Sequence, residues 1–271
     1  MPIISTIRAL YVPVQPFVQQ TAEGVVYREF LPDPRLQEYI FCYWQLKADR
    51  PLSAPFHYRV VADGCMDIFF ELHRPGESFL MGFSDSYTSF SLEGAFHYVG
   101  IRFLPGMFSL LFNVNAAELT NQAAALTDIA PVVARFLSDR FHEGMSMLQV
   151  QTLLDVFLLE HAAGNAREAD PRVLAAVDMI VQTAGVSSLE STLPPGISSR
   201  QLRRLFAFYI GDTPKTFSKV VRFQQILQST HAPEGIRRNK SYLDAGYYDQ
   251  AHFIREFKSL YGLTPAKVFR K

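Results

Sequence analysis

"SRQLRRLFAFYIGDTP" at 199–214 and "QAHFIREFKSLYGLTP" at 250–265 lie on one another at a fixed offset of 51 residues. Arg204 meets Arg255, Phe206 meets Phe257 and Leu202 meets Phe253, while Gly211, Thr213 and Pro214 meet Gly262, Thr264 and Pro265. The shared punctuation has a physical meaning. A Gly just past an apolar helix supplies the left-handed residue that ends it; Thr then caps the next helix and Pro occupies its first turn. On a helix turning about 100° per residue, Leu202, Leu205 and Phe206 share one face. Arg200 and Arg204 take the opposite face, with Arg203 at its edge. One such helix alone would read as a solvated surface element. Two copies with the same stop signals read as a duplicated unit.

Each copy follows a turn. Pro194-Pro195-Gly196 stops any preceding helix and Ser198 is a ready N-cap; Gly246 ends the helix upstream of the second copy, and Asp249 caps "QAHFIREF". Between the copies "PKTFSKVVRFQQILQS" (214–229) carries Phe217, Val220, Val221 and Leu227 at helical spacing, which predicts a connecting helix. Asp170-Pro171 opens a further helix, "RVLAAVDMIVQT". Helix, Gly-containing turn and second helix with outward arginine is the helix-turn-helix arrangement.

Through "SSRQLRRLF", "GDTPKTF", "VVRFQQIL" and above all "AGYYDQAHFIREFKSLYGLTP", residues 171–271 resemble the DNA-binding domain of the arabinose-regulator (AraC) family of bacterial transcription factors. The match departs from the family in "SSLESTLPPG" (187–196) and "RRNKSYLDAG" (237–246), where Thr192 and Tyr242 replace a small Ala. The resemblance implies two helix-turn-helix units joined by a long helix, and a sequence-specific regulator acting on double-stranded DNA and on RNA polymerase. From the helical faces, Arg200 and Arg204 reach base edges, and Arg203 takes a base or a phosphate. Ser199 lies beside them at the helix start. In the second unit Ala251 and Arg255 are the outward pair, with Gln250 at the helix start and His252 at the flank. Lys215, Lys219 and Arg222 on the connector are expected to hold phosphates. A rigid connector would set the two helices into successive major grooves, about one helical turn apart.

Charge is unevenly spread. The 271 residues carry 26 Lys and Arg against 26 Asp and Glu. Residues 167–271 hold 16 basic against 9 acidic side chains, about +7, and residues 1–166 are about −7, so only one half is suited to phosphate. The length suggests two domains. Cys42 and Cys65 sit in apolar runs and are too few for a disulfide framework, which predicts reduced core thiols in a cytoplasmic protein. "MPIISTIRALYVPVQP" lacks a signal-peptide layout, and no apolar run reaches membrane-spanning length.

From 38 to 103 the pattern changes to short runs rich in aromatic and β-branched residues: "EYIFCYWQL", "PFHYRVVA", "CMDIFFEL", "SFLMGF", "YTSFSL" and "FHYVGIRF". Asp63-Gly64, Pro75-Gly76 and Glu93-Gly94 punctuate them, predicting an antiparallel barrel or sandwich. Two helices follow, "IAPVVARFLSDRF" capped by Asp128 and "MLQVQTLLDVFLLEHA" capped by Ser146. The expected architecture is α+β in two domains. Residues 1–162 form a β barrel or sandwich with flanking helices, 163–170 a polar linker, and 171–271 an all-α double helix-turn-helix domain. "LPDPRLQEYIFCYWQL", "ADGCMDIFFEL" and "VGIRFLPGMFSLLFNVNAAELTNQ" resemble the sensor-type N-terminal domain of one branch of these regulators, which implies a small-molecule effector or a second copy of the chain as its partner.

A metal-holding barrel enzyme is the rival reading of that half. His57, His73 and His97 stand alone in the sequence with no H-x-H pair, Asp63 reads as a turn residue and Asp67 as a strand-edge one. No nucleophile elbow, Cys-x-x-Cys pair, phosphate loop or dinucleotide fingerprint occurs. Hence no catalytic residue, metal or cofactor is assigned. An effector pocket would be built around Arg102 and Tyr98 on one strand face, with Trp44, His57 and Arg59 on neighbouring strands. Arg102 would pair a carboxylate or phosphate ligand, unless it points to solvent or meets an acidic residue of its own domain.

Overall fold

The computed structural model describes residues 2–16, 24–165, 170–186, 196–231 and 246–269. The predicted linker centre at 166–169 lies outside the described residues, as do 187–195 with Thr192 and Pro194-Pro195, and 232–245 with Tyr242.

All six expected strands form, and two more join them. The strands are β1 (Val25–Phe30), β2 (Ile40–Ala48), β3 (Phe56–Val60), β4 (Met66–Glu71), β5 (Arg74–Met81), β6 (Thr88–Leu92), β7 (Phe96–Phe103) and β8 (Ala123–Ala125). They make an antiparallel sheet in the order β1-β2-β7-β4-β5-β8 and a separate β3-β6 ribbon. The sheet keeps two open ends, so the arrangement is sandwich-like and the barrel alternative is not realised. Strand alternation sorts the side chains. Val99, Ile101 and Phe103 of β7, with Ile68 and Phe70 of β4, pack beneath helices; Trp44, Leu46, Phe96 and Tyr98 turn the other way, toward Tyr58 and Phe90 of the ribbon.

The helices are α1 (Pro2–Leu10), α2 (Met107–Phe112), α3 (Leu126–Ile129), α4 (Pro131–Arg140) and α5 (Met147–Asn165) in the first half. The second half has α6 (Pro171–Gln182), α7 (Ser199–Tyr209), α8 (Pro214–His231), α9 (Gln250–Tyr261) and α10 (Pro265–Val268). Asp128 does not cap a long helix. It lies within α3, and α4 begins separately at Pro131, whose ring suits a first turn. Ser146 does cap α5, its hydroxyl accepting from the Gln149 N–H at 3.4 Å. Among the described residues no helix is long and apolar enough to cross a membrane.

The two halves share a core. Tyr11 after α1, Val61, Ala62 and Cys65 after β3, and Phe83 after β5 are buried together with Val177, Phe206, Phe217, Phe223 and Phe257 of the helical half. Both cysteines are buried free thiols.

Candidate nucleic-acid interface and inter-sheet cavity

The two predicted recognition helices are α7 and α9. Ser198 and Gln201 form a reciprocal capping box on α7: the Gln201 N–H donates to Ser198 Oγ at 3.3 Å and the Ser198 N–H to Gln201 Oε1 at 3.1 Å. Asp249 Oδ1 accepts from the His252 N–H at 2.7 Å and caps α9. Gly262 ends α9 in the left-handed region at φ 88°. Thr213 caps α8, its hydroxyl accepting from the Thr216 N–H at 3.2 Å, whereas Thr264 holds the same place before α10 without a side-chain bond.

Behind these caps Leu202, Phe206 and Phe257 are buried. Ser199, Arg200, Arg203, Arg204, Lys215, Gln250, Ala251 and Arg255 are exposed, and Lys219 is half-buried. His252 is half-buried, its ring edge on Tyr247 and its Nε2 3.6 Å from Glu256 Oε2. Arg222 is placed differently from the two lysines. Its guanidinium lies over the Tyr247 ring at 4.6 Å, donates to the Gly246 carbonyl at 3.2 Å and meets Glu256 at 3.5 Å. It ties the connector to the second unit, because a planar cation gains more from an aromatic face and an acceptor fork than from open solvent. Sequence reasoning passed over Tyr248, which is 88% exposed immediately before the Asp249 cap.

A cavity of about 100 Å³ opens between the main sheet and the β3-β6 ribbon. Trp44, Tyr98 and Arg102 line it, with Tyr58, Phe69 and Phe90. His57 and Arg59 do not, because on β3 it is Tyr58 and Val60 that turn inward. His57 is exposed and Arg59 lies over the Tyr87 ring at 5.3 Å. Gly100 makes room for the indole of Trp44, since a Cβ there would fall about 2.0 Å from its ring. Trp44 Nε1 donates to Asp67 Oδ2 at 2.8 Å, and Arg102 Nη2 donates to the same oxygen at 3.0 Å. Arg102 is fully buried and meets acidic residues of its own domain. Asp67 is not at a strand edge: β4 runs between β7 and β5, and the register sets Asp67 opposite Arg102. Asp63 does hold its turn, accepting from the Cys65 N–H at 3.0 Å, and also accepts from Gln15 at 2.7 Å.

His73 and His97, separate in sequence, approach with ring centroids 6.5 Å apart beside Glu71, whose carboxylate accepts the His97 backbone N–H at 2.7 Å. Among the described residues no group of three or more His, Cys, Asp or Glu is placed to share a metal ion.

Two helices with outward arginines, α7 and α9, thus stand at either end of one connector, α8. Residues 195–271 match the family described as a helix-turn-helix domain, and residues 28–125 match a domain of unknown function, DUF6597. Residues 195–271 are thereby a helix-turn-helix DNA-binding domain of the AraC type. No curated protein matches the chain in sequence. Solved structures of ToxT from Vibrio cholerae are distantly similar. One is 12% identical, covering 83% of this chain and 97% of ToxT with a TM-score of 0.41. Another, described as bound to an unsaturated fatty acid, is 13% identical over 81% of this chain and 92% of ToxT with a TM-score of 0.40.

Proposed function

We propose that the chain is a sequence-specific regulator whose hold on DNA is set by occupancy of the inter-sheet cavity. One observation carries this reading: the segment 61–65 is both cavity wall and dock for the DNA-binding half. Val61, Asp63 and Cys65 line the cavity. Between them the Ala62 carbonyl accepts from Gln224 of α8 at 2.8 Å, and the Ala62 N–H donates to the Leu260 carbonyl of α9 at 3.2 Å. The other lip, at Ser84 and Ser86, leads into Tyr87, whose N–H donates to the Ser259 carbonyl at 3.2 Å. A molecule that enters the cavity therefore presses on backbone that positions the connector and one recognition helix. Any differential fit between two arrangements of that dock becomes a coupling free energy between ligand and DNA.

On the DNA side, Arg200 and Arg204 read base edges, Arg203 takes a base or a phosphate, and Lys215 and Lys219 hold phosphates. In the second unit Gln250, Ala251 and Arg255 face the duplex; Ala251 offers only a methyl contact, so this helix discriminates less. Residues 1–162 carry the sensor, and 171–271 the DNA-binding domain. The protein works in the cytoplasm beside RNA polymerase, and we assign it no catalytic step.

A metabolite panel tests the coupling by melting temperature and by the emission of Trp44, the single tryptophan, which lines the cavity. A molecule that shifts both is expected to change affinity for a selected DNA site severalfold, and Gln224→Leu to break that link while both partners still bind. Ligands that fill the cavity and leave DNA affinity unchanged would contradict it, leaving a constitutive DNA-binding protein whose N-terminal domain only dimerises.

A further inference from the structure

The polar floor of the cavity is more negative than its one arginine suggests. Arg102 is the only cation lining it among the described residues, and three carboxylates surround that guanidinium. Asp67 Oδ2 lies 3.0 Å from Nη2, Asp63 Oδ2 3.5 Å from Nε, and Glu29 Oε1 3.8 Å from Nη1. The side chains of Asp63 and Asp67 are only 10% and 15% exposed, whereas that of Glu29, at 40%, is half-exposed and lies outside the cavity lining. One positive charge thus faces two buried negative charges and a third nearby. Burial pushes the Asp67 carboxyl up to about 6 against the pull of Arg102, and the neighbouring charge of Asp63 adds to the rise. The cluster is short of a cation.

The walls have the complementary chemistry. Trp44, Tyr58, Phe69, Phe90 and Tyr98 offer aromatic surface around the acidic floor. Ring faces attract a cation, more strongly where water is excluded. At about 100 Å³ the cavity is smaller than the roughly 150 Å³ that accommodates benzene, so it admits one ring at most, with the rest of a larger ligand toward the mouth.

We propose that the cavity selects a small aromatic amine, a flat apolar body carrying a protonated nitrogen, and discriminates against a carboxylate of the same shape. This rests on reading the cavity as the effector site. A carboxylate would bring a further negative charge beside Asp63 and Asp67, while Arg102 already donates to Asp67 from Nε and Nη2 and keeps only Nη1, 3.8 Å from Glu29, without a hydrogen bond. An ammonium supplies the missing charge, with the aspartates as counter-ions and the rings stacked over its body.

The test uses the full chain and three probes of one shape: phenethylamine, phenethyl alcohol and phenylacetate, titrated near neutral pH by Trp44 emission and by melting temperature. The amine is expected to bind at least roughly tenfold tighter than phenylacetate, a difference of about 1.4 kcal/mol, with the alcohol between them. Glu29→Gln removes one negative charge from a half-exposed position and should narrow that gap severalfold without unfolding the chain. Phenylacetate binding as tightly as the amine, or the alcohol binding best, would overturn the proposal. So would silence of all three probes. If another molecule of the panel then shifts both Trp44 emission and DNA affinity, only the amine class fails; if none does, the effector reading fails with it.

Discussion

Arg204 stands exposed on the outer side of α7 while Leu202 and Phe206 anchor that helix from behind, so its guanidinium is free to meet a base without moving the core. Arg204→Ala is expected to cost roughly 1–3 kcal/mol on the preferred site and to relax preference at one base pair. Lys219→Ala should weaken all sequences alike and flatten the salt dependence. Titrations on parent and single-substituted duplexes at two salt concentrations separate the two roles; a uniform loss for Arg204→Ala would make it a phosphate contact. His97 yields a second prediction. Burial, with Lys47 and His73 nearby, lowers its imidazole to about 4 from an ordinary value near 6.5. The unfolded chain therefore binds that proton before the folded one does, and His97 costs stability as pH falls from about 6.5 toward 4. Asp67, raised to about 6, works in the opposite direction over the same range. The effect of His97 is thus read as the difference between parent and His97→Gln, which should lose less stability on acidification. An imidazole that titrates near 6.5 by NMR would contradict this.

At the level of elements, the helix stops that identify the repeated unit are also contacts between the two halves. Gly262 ends α9 at φ 88°, and a Cβ there would meet the Tyr87 ring at 2.9 Å. Gly262→Ala should lower stability by about 1–2 kcal/mol for the left-handed backbone alone, with the ring contact adding to it. An unchanged melting temperature would mean that Tyr87 and the helix end move freely. Those stops were legible because Gly, Thr, Pro and Asp act locally, and the six strands were legible because aromatic runs alternate with turn residues. Among the elements that escaped, three did so for equally physical reasons. β1 is an edge strand whose inner and outer residues do not alternate cleanly, and β8 is three alanines. α1 is amphipathic but short, and no capping residue announces its start. Arg222 reads as one more connector cation until Tyr247 and Glu256 are brought against it.

For the whole molecule, α7, α8 and α9 with their caps were legible in the helical half, and the cavity only in part. Tyr98 and Arg102 could be placed on one face by alternation, but what stands beside and opposite them, Trp44 included, depends on sheet order and on how the β3-β6 ribbon folds over. That order gives Arg102 its partner Asp67 and turns His57 and Arg59 away. The contact of 61–65 with α8 joins residues 162 apart in the chain, which no local pattern announces. One chain is expected to read DNA with two recognition helices held by α8. Hydroxyl-radical footprinting on sites selected from random duplexes tests it most directly. Two protected blocks are expected on one face of the duplex, about one helical turn apart, with Arg204→Ala blurring one block and Arg255→Ala the other. A single protected block per chain, or selection that enriches no sequence over salt-sensitive background binding, would contradict it.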